Sequence, residues 1–537
     1  MSAFCVRLST LFVIVMLGLL QNSVDACASS SRPNQKRVGS GSASARSHVA
    51  RAMQVMGGEP LLAGTTAIQT HERRTTYRLT DSDHPEGPYL VSPTEAARYI
   101  DFAHQQLVSQ LDIKLPTGDE QVATVIYRSS ASEMRSTYNG RKSPTQLMPA
   151  PQNWGLSNPI SALRAAYEAP DLQIVGTSTL YGTPHTLVRF IHDSQPITLE
   201  LNDYNGYVDS LTQRLCAPYS IAASVWGDYE SKYVFGDWRL EKGGLHYPFL
   251  VTNYFNGVLQ EVDEVKDLEV NPQASPLAPL ANSPLDPQGV QNPSSVDEIP
   301  LSNLQQQANG NPGTGPVEIA PGVLQIPGNW YTTVVRQQDG LVIIDAPISS
   351  GYSRQVIEEA KRRFPGLPIK AVITSTSYWW HFAGIREYAA QGVPIYVLDA
   401  NERLINSALK APHISHPDDL VRSRKTPKLI AVSKATTIGT GSDRIVVYPI
   451  RSATGQMMMT WLPEFHILYT AEMAQPLGPN HTFLFPQSLW ELMESVKGYQ
   501  LPVQKIIGMH MSPTPWSALV KSVEGAVAGQ PPPLTNQ

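Results

Sequence analysis

Between residues 46 and 271 apolar residues fall in short runs broken by turn residues. The runs at 172–180, 186–191, 197–201 and 247–255 each fit one strand. Tyr181-Gly182-Thr183-Pro184, Asn205-Gly206, Lys242-Gly243-Gly244 and Asn256-Gly257 supply the turns between them. One stretch has a different period. After Ser92-Pro93-Thr94-Glu95, a good helix start, Ala96, Ile100, Ala103, Leu107 and Leu111 keep one helical face, which predicts one long helix. The region is therefore expected to be a mainly antiparallel β (α+β) domain. After residue 317 the pattern changes. Buried runs at 341–344, 371–373 and 393–398 alternate with helical patterns, one capped by Ser353 with a face of Val356, Ile357, Ala360 and Phe364, another over 382–390. Runs at 444–450, 457–462, 467–471 and 505–509 follow, with helices after Pro486 and Pro515. Alternation first and consecutive strands later predict two sheets covered by helices on the outside.

Composition divides the chain further. Residues 272–316 hold nine prolines, no Lys or Arg and no aromatic residue, and predict a linker that cannot bury enough surface to order itself. At the N-terminus Arg7 precedes an apolar run ending at Leu20, and Val24-Asp25-Ala26 fits a small-x-small cleavage site. Residues 1–26 are expected to be a signal peptide, giving a secreted or periplasmic protein, with 27–45 a Ser- and Ala-rich flexible leader. Cys27 would be the first mature residue, and a lipid anchor there is the lesser alternative to plain export. No later run of about 20 apolar residues predicts a transmembrane span. The remaining expected segments are domains at 46–271 and 317–527 and a disordered tail at 528–537. With 537 residues and a net charge of −5, the chain lacks the basic surplus of a nucleic-acid binder. Three cysteines (Cys5, Cys27, Cys216) exclude a disulfide scaffold or a Cys-rich zinc module, although Cys27 and Cys216 could pair.

Ligands of layered α/β folds gather where strands end. The polar residues just after the apolar runs are Asp345, Thr374-Ser375-Thr376-Ser377, Glu472 and His510, and His381 opens the helix that follows the hydroxyl run. Two imidazoles and two carboxylates at separate strand ends are also zinc ligand types, and His₂Glu is a catalytic set. Each has a plain packing use as well. Asp345 can bond turn N–H groups, His381 can sit at a helix start, Glu472 can end a strand, and His510 can be a core histidine. His413, His416 and His481 fall in polar loops and are expected to be solvated. Met457-Met458-Met459 reads as core strand.

Residues 317–524 resemble the metallo-β-lactamase fold superfamily. Pro321-Gly322-Val323 followed by 339–345 resembles its opening hairpin and strand–Asp turn. The segment from Ala371 through His381-Phe382-Ala383-Gly384 resembles the one carrying H-x-H-x-D-H-x-x-G. Trp461-Leu462-Pro463-Glu464 to Ala471-Glu472 resembles its late hairpin, and Gly508-Met509-His510 the strand end with its last His. The resemblance implies an αββα sandwich with a zinc-dependent hydrolase site. The signature is broken, however. Trp380, Tyr378 and Thr376 stand at its acid and two His positions, or Ser377 and Ser375 with a one-residue gap, and residues 452–454 lack the next His. His381, Glu472 and His510 match the second metal site, which implies one zinc on these three, with an open position for the water of an ester, amide or thioester hydrolysis and Asp345 beside it. The alternative is a protein with no metal and no catalysis, which binds a ligand or partner in a pocket of Thr374, Ser375, Ser377, Tyr378, Trp379 and Trp380. The second half of the N-terminal region more loosely resembles lipoprotein-carrier half-barrels, which implies an independent ligand groove there.

Overall fold

The computed structural model describes residues 40–528 except 81, 83–84, 117–119, 129–130, 150–154, 216–220, 292–296, 298–300, 302–314, 327–329, 451–455, 478–481 and 484–485. The expected signal peptide, Cys27, the possible Cys27–Cys216 pair, His481, residues 452–454 and the tail after 528 thus lie outside the described residues. Among the described residues, no helix is long and apolar enough to cross a membrane.

The N-terminal unit is one large, almost wholly antiparallel sheet. Its order starts from Val290–Gln291, Gln146–Pro149, Ala131–Tyr138 and Glu120–Tyr127. It continues through Gln106–Lys114, Val91–Asp101, Ala67–Tyr77, Val258–Val270, His246–Phe255 and Tyr229–Leu240. It ends with Val208–Leu215, Gln195–Asn202, Thr183–His192 and Gln173–Leu180. The strands expected near 172–180, 186–191, 197–201 and 247–255 are present. The long helix expected from Ser92 is instead a hairpin of Val91–Asp101 with Gln106–Lys114, in register from Thr94↔Ile113 to Asp101↔Gln106. Spacings of four, Ala96 to Ile100 and Leu107 to Leu111, fit a strand face as well as a helix face. Gln105, at φ 53 in the turn, breaks the run that a helix needs.

Helices cover one face of this sheet. Ser40–Val55 starts inside the segment expected to be a flexible leader, and it buries Ala45, Val49 and Ala52 with Phe190, Ile197 and Leu211. Their spacing is helical, and the apolar face repays the ordering of a short Ser- and Ala-rich stretch. Pro159–Glu168, capped by the Asn158 side chain, completes this cover. The segment expected to be a linker is ordered over its first part as well. Ala278–Ala281 buries Leu277 and Ala281 against Ala67, Tyr99, Val108 and Ile126 on the opposite face. Residues 302–314, the Gln- and Asn-rich end, lie outside the described residues.

The C-terminal unit has two sheets packed face to face. The first runs in the order Val317–Ala320, Val323–Ile326, Thr332–Gln337, Gly340–Ile344, Ile369–Thr374, Ile395–Leu398 and Leu429–Val432, antiparallel at its start and parallel from Gly340–Ile344 onward. The second is Thr436–Ile438, Ile445–Pro449, Met458–Leu462, Ile467–Tyr469, Lys505–Gly508 and Met511–Pro515. Val335, Val342, Ile344 and Ile373 of the first meet Val447, Met458, Leu462 and Ile507 of the second in a dry layer. Helices close the outer faces, among them Ser350–Arg363 and Ile385–Gln391 at one side and Pro486–Gly498 and Trp516–Ala528 at the other. This is the αββα sandwich that the resemblance implies. Ser349, not Ser353, caps Ser350–Arg363: its hydroxyl accepts from the Tyr352 N–H at 3.1 Å, while Ser353 is buried within the helix.

The two units share one apolar core. Leu79, Ile221, Val225, Tyr229 and Phe255 of the first pack in the cluster that holds Tyr378, Trp379 and Trp380 of the second. The Asp228 N–H donates to Pro412 O at 2.6 Å, and its carboxylate accepts from the Ser415 hydroxyl at 2.9 Å. Gly227 makes this approach possible, because its φ of 63° and the Pro412 carbonyl against it leave no room for a Cβ.

Candidate metal centre

The site is built from chain segments leaving parallel strands. Asp345 follows Gly340–Ile344, Ser375 follows Ile369–Thr374, Glu472 follows Ile467–Tyr469, and His510 sits in the turn between Lys505–Gly508 and Met511–Pro515. His381 lies in the four-residue helix Trp379–Phe382. That helix is held by the main chain beyond Asp345: the Ala346 N–H donates to His381 O at 2.9 Å, and the Ile348 N–H to Trp380 O at 3.1 Å. Asp345 at φ 63 and Ala471 at φ 52 turn the chain sharply at two strand exits, a left-handed conformation that is uncommon for non-glycine residues.

The structure brings His381, Glu472 and His510 together. His381 Nε2 and Glu472 Oε2 form a short hydrogen bond, and His510 Nε2 lies 2.8 Å from the same oxygen. One ligand atom from each of the three falls within 4.8 Å of the others. Asp345 stands behind His381, with Oδ2 3.6 Å from Nδ1. Its carboxylate accepts from the Ser375 N–H at 2.7 Å, the Ser375 hydroxyl at 2.6 Å and the Tyr469 hydroxyl. Gln475 donates through Nε2 to Glu472 Oε1. His381 and Asp345 are fully buried and Glu472 nearly so, while His510 is 12% exposed along its side chain.

Burial opposes charge on His381, but Glu472 and Asp345 outweigh it and push the imidazole up to about 9. Burial would likewise raise Glu472. The two histidines, His510 and then His381, hold it down at about 2. Burial first, and the Asp345 carboxylate next, drives the Tyr469 phenol well above its usual range.

The hydroxyl and aromatic residues expected to line a pocket are packed instead. Ser375 is spent on Asp345, and Thr374 Oγ1 donates to Tyr396 O at 3.2 Å. Trp379 lies 5.3 Å from both Trp226 and Phe255, ring to ring, and Trp380 stacks on Trp330 at 6.1 Å. Tyr378 meets His381 edge-on at 6.2 Å, and Ser377 Oγ donates to Ser82 O at 3.5 Å. All six are buried, with Trp379 and Ser377 covered by Trp226, Phe255 and Ser82 of the N-terminal unit. His413 departs from expectation too. It is buried beside Asp418 and Arg386, and burial followed by the Arg386 charge lowers its imidazole to about 4. Gln475 and Tyr469, which hold the acid groups in place, were not among the expected site residues. The sequence signal for Gln475 was its place three residues after Glu472.

Two stacked sheets, an Asp at the first parallel strand's exit and three ligand-type residues at later exits match the implied architecture landmark by landmark. The C-terminal unit thus has the αββα layering that the resemblance implies. No protein-family model and no curated protein matches the chain. Similar solved structures include a metallo-beta-lactamase from Pontibacter korlensis, at 15% identity over 40% of this chain and 99% of that one with a TM-score of 0.31. FIM-1 from Pseudomonas aeruginosa, in its mono-zinc form, has 16% identity over 40% and 98% with a TM-score of 0.30. The inverting sec-alkylsulfatase Pisa1 from Pseudomonas sp. has 18% identity over 42% and 43%, also at 0.30. At such scores the fold assignment rests on the strand order described above, and these likenesses add nothing on chemistry.

Proposed function

We propose that the chain is an exported hydrolase whose C-terminal unit works with one zinc on His381, Glu472 and His510. The observation that carries this reading is the convergence of three ligand atoms within 4.8 Å from three separate segments. The donor set fits the ion. His₂Glu is a catalytic zinc set with a fourth position open. The surroundings also suit a ligand histidine: His381 Nδ1 has no hydrogen-bond partner and faces Asp345, the carboxylate that would orient and polarise it once Nε2 is taken by a metal. Bound there, zinc supplies Lewis acidity toward a water and a carbonyl oxygen.

The chain's own groups do the remainder. Asp345 is a positioning residue, since it reaches His381 and not the converging ligand atoms. Gln475 fixes the free oxygen of Glu472, so that Oε2 alone is presented between the two imidazoles. The N-terminal unit excludes water from the Trp379 side. The substrate class that suits such a site is an ester, amide or thioester carbonyl. Export rests on residues 1–26 and on their sequence only. A non-catalytic ligand binder has less support, because Trp379 and Trp380 are committed to Trp226, Phe255 and Trp330.

Elemental mass spectrometry of untagged protein tests the reading. The expected result is about one zinc per chain, lost in His381→Ala and in His510→Ala, with chelator-sensitive turnover of chromogenic esters or thioesters. Protein that takes up no zinc even when it is supplied would overturn it.

A further inference from the structure

The first sheet of the sandwich ends in Leu429–Val432, a short strand with one neighbour. It pairs in parallel with Ile395–Leu398, from Ile395↔Leu429 to Leu398↔Val432. Among the described residues no strand pairs with its other side. Val432 is buried between the two sheets, and Ile430, on the same face of the strand, is 36% exposed at the rim. Ala431 is exposed on the opposite face. Such an edge offers an unpaired row of backbone N–H and C=O groups, a template for a further strand.

The charge around this edge is of one sign. From Leu420 to Ser442 the chain carries Arg422, Arg424, Lys425, Lys428 and Lys434 and no acidic residue, in a protein whose net charge is −5. All five side chains belong to exposed residues. The acids that flank the stretch are committed to other groups. Asp418 holds Arg386 through both carboxylate oxygens, Asp419 lies 2.9 Å from Arg422 and 3.7 Å from Arg354, and Asp443 accepts from the Gln338 N–H. Lys425 donates to Gln391 O at 3.0 Å. Among the described residues Arg424, Lys428 and Lys434 form no ion pair. Lys428 directly precedes the strand, and Lys434 stands two residues beyond it.

We propose that this edge docks an extended acidic peptide of a partner protein, which adds a strand to Leu429–Val432. Its backbone continues the hydrogen-bond ladder, an apolar side chain covers Ile430, and its carboxylates meet Arg424, Lys428 and Lys434. A second copy of this chain is a poor occupant, because antiparallel pairing of the two edges sets like charges against each other at both ends. An anionic membrane or polysaccharide would meet the cations and leave the backbone row to water. A polypeptide with carboxylates uses both.

Fluorescence anisotropy of the full chain with a labelled peptide of alternating Glu and Val tests this. Saturable binding is expected, weakened severalfold when salt is raised from about 50 to about 200 mM. Amide exchange at 429–432 should slow when the peptide is bound. The same peptide with every backbone nitrogen methylated keeps its charge, cannot donate to the ladder, and should bind at least about tenfold more weakly. Lys428→Glu combined with Lys434→Glu should weaken the parent peptide by a similar factor. Lys361→Glu, an equal change of charge in the last turn of Ser350–Arg363, should leave binding as it was. Exchange and the methylated peptide are read on the unaltered protein, so they decide the matter should the doubly reversed variant not fold. Equal binding of the methylated peptide, displacement of the parent peptide by phosphatidylglycerol vesicles or by heparin at equal charge, unslowed exchange at 429–432, or absence of binding at millimolar peptide would overturn the proposal.

Discussion

Asp345 shows what a single residue contributes at the proposed metal centre. It is fully buried, in the left-handed region, and accepts from one N–H and two hydroxyls. Asn tolerates the same φ, so Asp345→Asn preserves the turn and removes the charge. The substituted amide presents a donor where three donors already point. The expected cost is about 2–4 kcal/mol in unfolding free energy, read from urea titrations, with zinc still retained by the three ligands but more weakly. A variant as stable as the parent would mean that Asp345 is an ordinary turn residue. Sequence revealed Asp345, Glu472 and His510 because polar residues directly after apolar runs have little packing reason to be there. It did not reveal Tyr469, whose ring belongs to the core strand and whose hydroxyl joins the cluster only by donating to Asp345, 124 positions away. Nor did it distinguish an open aromatic pocket from a packed one, since what buries Trp379 comes from residues 226 and 255.

Elements follow the same logic one level up. Most parallel strands of the sandwich are continuous apolar runs legible to within a residue or two, but Leu429–Val432, a short edge strand, was not read from the sequence. The hairpin at Val91–Asp101 and Gln106–Lys114 was not, for its apolar residues four apart fit either period and its alternate positions, Thr94, Arg98 and Ser109, are polar on the buried side. That polar face makes a pH prediction. Burial, and next the Asp263 charge, raises Glu72 to about 7. Burial, opposed by Arg74 and reinforced by Asp263 and Glu72, raises Glu261 to about 8. Arg98, Tyr233 and Tyr247 share the same space. A carboxyl raised in the folded state holds a proton that the unfolded chain releases near 4.5. Stability is therefore highest below the unfolded value and falls as pH rises through the folded one. The N-terminal unit should lose stability between pH 5 and 8, at up to about 1.4 kcal/mol per pH unit for each group. Glu261→Gln should flatten that slope in denaturant titrations at constant salt. An unchanged slope in both Glu261→Gln and Glu72→Gln would show that these groups do not titrate in this range.

At the scale of the molecule, the two units are joined by packing and not merely by chain. The Trp379 ring is wedged between Trp226 and Phe255, its backbone N–H donates to Thr80 O at 3.1 Å, and Glu86 pairs with Arg403 at 3.1 Å on the surface. The exposed pair is worth little, so the aromatic wedge and the Gly227–Pro412 approach carry the seam. Neither the Pro-rich composition of 272–316 nor any motif announced this contact, because its halves lie more than 120 residues apart and each looks like ordinary core. Truncating a buried Trp costs about 3–5 kcal/mol. Trp379→Ala should cost that much and, because His381 shares its four-residue helix, should also weaken zinc uptake. Trp226→Ala removes the same ring contact from the other side and leaves that helix whole. Its loss of stability should come with near-normal zinc content. Gly227→Ala, which forces a Cβ into the Pro412 carbonyl, should part the units outright, turning one calorimetric transition into two. Two transitions in the unaltered protein would show that the seam does not couple them. Equal zinc loss in Trp226→Ala and Trp379→Ala would place the metal centre under control of the whole seam and not of the helix that carries His381.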